Sequence, residues 1–189
     1  MVAKPALRRA TYADLAAVPA HQVAEILAGV LHVNPRPAFA HAAASSALGE
    51  ELGGPFKRGR GGPGGWVILD EPELHLGPDP DVLVPDLAGW RRQRMPEIPD
   101  AAFTALAPDW VCEVLSKSTA AVDRGDKLPI YSRESVSHVW LVDPLVRTLE
   151  VLRLGEGGWQ IAGTWYDAAK VRAEPFDAVE LDLAVLWAR

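Results

Sequence analysis

The chain has 189 residues, of which 49% are hydrophobic and 23% charged, with a formal net charge of −6 and a single cysteine. That length suits one domain spanning 1–189, with interior enough for a core that needs no staples. The lone Cys112 excludes an intrachain disulfide framework and a cysteine-based zinc site, and the acidic balance excludes a nonspecific nucleic-acid coat protein.

In chain order, Thr11-Tyr12-Ala13-Asp14 reads as a capping-box start with Asp in place of Glu, opening a short helix to about Val18 that Pro19 ends. Val23, Ile26 and Leu27, then Val30, Leu31 and Val33, flank Ala28-Gly29 and predict a hairpin with Glu25 in its first arm. Pro35 and Pro37 break the chain before an Ala-rich helix over Phe39 to Leu52; His41 at its start is read as a surface cap in preference to a residue facing a site. Gly53 to Gly65 holds seven glycines and two prolines, which predicts a flexible or functional loop. It carries a basic cluster, Lys57, Arg58 and Arg60.

Trp66 to Leu69, Leu74 to Leu76 and Val82 to Trp90 read as strands, with Pro85 tolerated at a bulge or edge. From Asp70 to Asp86 there are six acids and no Lys or Arg. A second basic cluster, Arg91, Arg92 and Arg94, follows. Trp90 beside it is the aromatic best placed to stack a base. An irregular connection, helical near Ala101 to Leu106, leads to a strand over Trp110 to Leu115. Thr119 to Arg133 reads as a helix kinked or shortened by Pro129. Strands follow over His138 to Val142, Thr148 to Leu154 and Trp159 to Tyr166, and a closing helix over Leu181 to Trp187. The expected class is α/β or α+β with mixed strand directions. No apolar h-region or membrane-length run is present, so a cytoplasmic protein without a membrane partner is the default expectation.

Two acids stand at the edges of apolar runs. Val82-Leu83-Val84-Pro85 precedes Asp86, and Trp110-Val111-Cys112 precedes Glu113. A carboxylate in a buried strand is costly unless a partner compensates it, so a divalent cation or a lysine is expected nearby. The helix after Glu113 carries Asp123, Lys127 and Tyr131 at a spacing of four, which keeps them on one face. Two strand acids and a helix lysine are the ingredients of a metal-dependent phosphodiesterase site. For Asp123 the expected meaning of the spacing is a solvated ion pair with Lys127, and Glu25 is read equally well as exposed. The basic clusters on either side of the acid-rich stretch are what a phosphate backbone would need.

These residues together resemble the Uma-type family of restriction endonucleases, within the PD-(D/E)xK nuclease fold. The matching stretches are Glu25 to Gly29, Val84-Pro85-Asp86-Leu87, Glu113-Val114-Leu115-Ser116, Ser118 to Lys127 with Tyr131, and Val139 to Pro144. The resemblance implies a restriction-endonuclease-like mixed central sheet flanked by helices. It makes Asp86 the acid of the PD half, Glu113 the acid of the second half and Glu25 the acid of the first segment. The wider fold places its lysine where Leu115 stands here, so the resemblance makes Lys127 the substitute amine, with Lys117 its competitor. By the same analogy Asp86, Glu113 and the Val114 carbonyl hold Mg²⁺ or Mn²⁺. The implied activity is Mg²⁺-dependent endonucleolytic hydrolysis of phosphodiester bonds, with DNA the first expected partner and a homodimer needed for double-strand cutting. The alternatives are a catalytically silent nuclease-fold protein binding nucleic acid or a protein partner, and a hydrolase of small phosphate esters.

Overall fold

Alternating and continuous apolar runs dictate most of the strands in the computed structural model, which describes residues 8–187. Helix α1 (Tyr12–Ala16) starts where the Thr11 N–H donates to Asp14 Oδ2 at 2.7 Å. Strands β1 (Gln22–Leu27) and β2 (Val30–Pro35) form a hairpin. Its two turn residues have positive φ, 51° at Ala28 and 80° at Gly29, the backbone that a two-residue hairpin turn demands. Buried Asp81 holds that turn by accepting the Ala28 N–H at 2.5 Å while pairing with Arg133 Nη2 at 2.8 Å.

Helix α2 (Phe39–Leu52) buries His41, Ala44, Leu48 and Leu52, a spacing of three and four that defines one stripe. Gly53–Lys57 continues it as one π turn, so the first part of the expected glycine-rich loop is helical. Strands β3 (Trp66–Asp70), β4 (Glu73–Leu76), β5 (Asp81–Leu83) and β6 (Leu87–Arg91) follow. The strand expected over Val82 to Trp90 is therefore two strands, and they belong to different sheets. Pro85 is the reason: without an N–H it cannot continue a ladder, and the chain changes sheet at Val84-Pro85-Asp86.

The remaining strands are β7 (Phe103–Thr104), β8 (Trp110–Val114), β9 (His138–Asp143), β10 (Thr148–Gly155), β11 (Gly158–Tyr166), β12 (Lys170–Val171) and β13 (Leu181–Asp182). The helical turn expected near Ala101 to Leu106 is replaced by β7, which pairs in parallel with β4. The closing helix is a 3-10 turn over Leu183–Trp187 behind β13. Between β8 and β9, α3 (Ala120–Val122), a π turn over Asp123–Lys127 and α4 (Leu128–Arg133) form one continuous helical stretch. Pro129 stands at the second position of α4, directly after the π turn.

One sheet runs β11-β10-β9-β8-β6-β3, a second β2-β1-β5-β4-β7, and β12 and β13 pair as a third of two strands. In the first, β8 and β9 are parallel and the other neighbours antiparallel, so the sheet is mixed. Its two faces bury separate cores. On one, α2 and the C-terminal segment cover Trp66, Trp110, Trp140 and Phe176, whose rings meet at centroid distances of 4.7 to 5.6 Å. On the other, Val111, Leu115, Ile130, Tyr131, Leu141 and Leu27 bring α4 and the second sheet together. Every residue of β8 is buried. Among the described residues no helix is long and apolar enough to cross a membrane.

Candidate active site

The C-terminal end of β8 opens into a cavity of about 420 Å³ lined by Glu25, His41, Asp86, Glu113, Asp123 and Lys127, among others. Five pieces of chain converge there: β1, the start of α2, the break before β6, the end of β8 and the π turn. A single π turn inside a helix is common at functional sites, and this one places both Asp123 and Lys127 inward, 2% and 4% exposed.

Lys127 is the centre of the charge arrangement. Its Nζ lies 3.0 Å from Glu25 Oε1, 3.0 Å from Glu113 Oε2 and 3.1 Å from Asp123 Oδ1. An ammonium has three N–H donors, and three carboxylates surround this one. Burial acts to lower the Lys127 pKa, but Glu113, Glu25 and Asp123 outweigh it and hold the ammonium well above the usual lysine value. The carboxyl of Glu113 is pushed well above its ordinary range, by burial first and then by Asp123, Asp86 and Glu25, against the attraction of Lys127. Both shifts describe one condition. Three buried acids share one ammonium, the lysine keeps its proton, and the crowding of negative charge favours the protonated form of Glu113.

Glu113 is held from its other side by Tyr131, whose hydroxyl donates to Oε1 at 2.5 Å. Burial and the facing carboxylate raise the phenol well above its usual pKa, so Tyr131 stays a donor. Glu25 Oε1 also accepts the Val84 N–H at 2.8 Å. Asp86 is bound at both oxygens: Oδ2 accepts the Val114 N–H at 2.7 Å, and Oδ1 lies 3.2 Å from His41 Nε2. Burial works to lower the His41 pKa, but Asp86, then Asp123 and the Val114 backbone, more than offset it, and the net shift is upward. Among the described residues the buried His41 Nδ1 has no hydrogen-bond partner.

Asp86, Glu113, Val114, Glu25 and Lys127 are thus brought to one cavity, while Lys117 is exposed at its wall. His41 and Asp123, read from the sequence as a surface cap and a solvated pair, are both buried here. The signal for His41 is its register with Ala44, Leu48 and Leu52 on one stripe of α2. For Asp123 no local signal exists, because its partners Glu25 and Glu113 come from distant segments.

The two basic clusters part company. Lys57 and Arg58 line a second cavity of about 420 Å³ that shares His41 and Asp86 with the first; Lys57 Nζ donates to the Ile68 carbonyl at 2.8 Å. Arg60 is exposed and lines neither cavity. Arg91 ends β6 on the side away from Asp86, about 17 Å off for a strand of that length, and Arg92 and Arg94 follow it. There Arg91 stacks over Trp66 at 4.1 Å, Arg92 bonds the Pro96 carbonyl at 3.4 Å and Arg94 pairs with Asp109 at 2.9 Å. The structure does not bring this cluster to the carboxylates. Trp90 is fully buried with its indole N–H on the Leu106 carbonyl, so it offers no platform for a base.

Among the described residues no three His, Cys, Asp or Glu side chains are grouped to hold a metal ion unaided. Mg²⁺ does not require that, since it takes one or two carboxylates and keeps several waters. The donor chemistry fits such an ion: the acids around the cavity offer hard oxygens, and their buried charge exceeds what Lys127 neutralises.

A family model named Uma2 and described as "Putative restriction endonuclease" matches residues 9–185. Among solved structures, the chain is similar to a putative nuclease belonging to DUF820 from Anabaena variabilis, with a TM-score of 0.75, 21% sequence identity, and coverage of 94% of this chain and 97% of that one. The likeness establishes a shared fold. No curated protein matches.

Proposed function

Because the chain belongs to the Uma2 family of restriction-endonuclease-like proteins, we propose that it is a metal-dependent nuclease hydrolysing phosphodiester bonds of nucleic acid, DNA foremost. One observation carries the reading. Asp86 and Glu113, far apart in sequence, line one cavity with the Val114 N–H bound to Asp86 and a buried ammonium bound to Glu113.

Asp86, Glu113 and the carbonyl of Val114 would hold Mg²⁺ or Mn²⁺. When bound, the ion supplies charge neutralisation on the phosphoryl oxygens and a more acidic water. The chain's own residues do the rest. Tyr131 and Lys127 fix the two oxygens of Glu113, and the Val114 N–H and His41 fix those of Asp86, so neither acid must reorganise on binding. Lys127 keeps Glu25 and Asp123 beside Glu113 despite their like charge. The side chains of Lys57 and Arg58 offer positive charge to a phosphate next to Asp86.

A second reading has its own support. The three donors of Lys127 face three carboxylates, leaving none for a substrate oxygen, which favours a catalytically silent nuclease-fold protein. Incubating the protein with supercoiled plasmid, single-stranded DNA and RNA in Mg²⁺, Mn²⁺ and EDTA separates the two. Cleavage that needs the ion and is lost in Asp86→Asn supports the nuclease. Metal-independent binding without cleavage of any of them supports the silent reading.

A further inference from the structure

We propose that the cavity beside Asp86 is a subsite for one unpaired nucleotide, so that the strand cut is single-stranded or locally opened; this rests on the nuclease reading above. The two cavities of about 420 Å³ meet at His41 and Asp86 and differ in character. Walls of the first are largely apolar, with Val23, Pro35, Ala38, Ala40 and Leu145 above the buried carboxylates. Its volume lies within the range that encloses small organic ligands. The second is polar, with Ser45, Ser46, Lys57 and Arg58 along it beside Glu50, Asp70 and Glu71.

A path across Asp86 therefore passes from an apolar recess to a polar, hydroxyl-bearing groove in which Lys57 and Arg58 are the cations. A nucleotide has the matching halves, a flat base and a phosphate. In a duplex the base is stacked and paired, and it can enter a recess only by leaving the stack. That costs a few kcal/mol for a paired base and least for a strand already single. Asn34 and Ser116 on the walls supply an amide and a hydroxyl suited to a base edge. The net charge of −6 adds a second reason. Duplex DNA carries a charge every ~1.7 Å of axis and is repelled by an acidic protein more than one strand is.

The test uses the full chain in Ca²⁺, measuring affinity at one salt concentration for a short single-stranded oligonucleotide, its blunt duplex and the corresponding mononucleotide. The single strand should bind about tenfold tighter than the duplex. Ala40→Trp, which fills the recess, should weaken the single strand about tenfold while leaving Mn²⁺ affinity and the duplex unchanged. Equal or tighter duplex binding, or an Ala40→Trp protein that binds the single strand normally, overturns the subsite and leaves the nuclease reading standing. A mononucleotide that binds as tightly as the oligonucleotide also overturns it, in favour of a free-nucleotide site. If Ala40→Trp does not fold, a fluorescent adenine analogue in a duplex bound by the unaltered chain decides: brightening on unstacking supports the subsite and unchanged emission rejects it. No binding or cleavage of any nucleic acid, with hydrolysis of a small phosphodiester retained, defeats the nuclease reading itself.

Discussion

Lys127 Nζ and Glu113 Oε2 stand 3.0 Å apart, with the two residues 4% and 2% exposed. A buried pair of this kind is worth little against an apolar replacement of both partners, but removing one partner strands the other. Here three carboxylates would be stranded at once. Lys127→Met should therefore destabilise the protein by about 3–5 kcal/mol, measured by urea unfolding in EDTA. Mg²⁺ should recover part of the loss, since it supplies positive charge to the same acids. A variant as stable as the parent would show that the cluster carries no net charge to neutralise.

The raised pKa of a buried acid gives a pH signature. Glu113 has a folded-state pKa above its unfolded value, so folding favours its protonated form. Its contribution to stability is present below the ordinary glutamate value and is lost as pH rises through the folded value. Glu113→Gln fixes the neutral form. Its melting temperature should match the parent near pH 4 and exceed it at pH 8 by several degrees, each ~1 kcal/mol being worth about 2–4 °C for a chain of this size. A variant less stable at pH 8 would mean that Glu113 is held ionised by Lys127.

Metal affinity should follow Asp86. Asp86→Asn keeps the shape and the bond from the Val114 N–H but removes the charge. Calorimetric titration of Mn²⁺ should show binding weakened by at least tenfold, and cleavage should fall by ~10²-fold or more. Lys117→Ala, at the exposed wall, should change neither.

Salt dependence distinguishes the basic clusters. Each phosphate contact contributes about 0.9 to the log–log slope on duplex DNA and about 0.7 on a single strand. Lys57→Ala with Arg58→Ala should therefore lower the single-strand slope by about 1.4. Replacing Arg91, Arg92 and Arg94 should leave it unaltered, because those side chains lie at the opposite end of β6 and are occupied by Trp66, Pro96 and Asp109. A slope that falls with the second set would place the footprint on the other side of the sheet.

Much of this arrangement is legible in the order of the residues alone. The Ala-rich run between Pro37 and Gly53 has the composition of a helix, and α2 has those bounds, although one π turn carries the coil on through Gly53. The continuous apolar run around Glu113 announces a strand buried on both faces, and β8 is one. Relations between distant segments are what escape. Nothing local shows that Val82-Leu83 and Leu87 to Trp90 join different sheets, since only Pro85 interrupts an otherwise uniform run. A spacing of four looks the same in a solvated pair and in a buried one, so Asp123 gives no sign of Glu25 and Glu113. Arg91 to Arg94 stand next to the acids in sequence, but an extended strand carries its two ends apart.

Side chains alternate along β8, with Val111, Glu113 and Leu115 directed to one core and Trp110, Cys112 and Val114 to the other. A slip of one residue against β9 would exchange these sets. It would drive the Glu113 carboxylate among Trp66, Trp140 and Phe176, which offer an anion almost nothing, and would leave Lys127 facing an uncharged side chain. Both errors are severe, whereas an all-apolar strand with two greasy faces would have tolerated either alignment. The acid that the chemistry requires thus also works as an alignment pin during assembly, and a chain in which Glu113 is replaced by an aliphatic residue should fold to a less uniquely ordered sheet even where its stability rises.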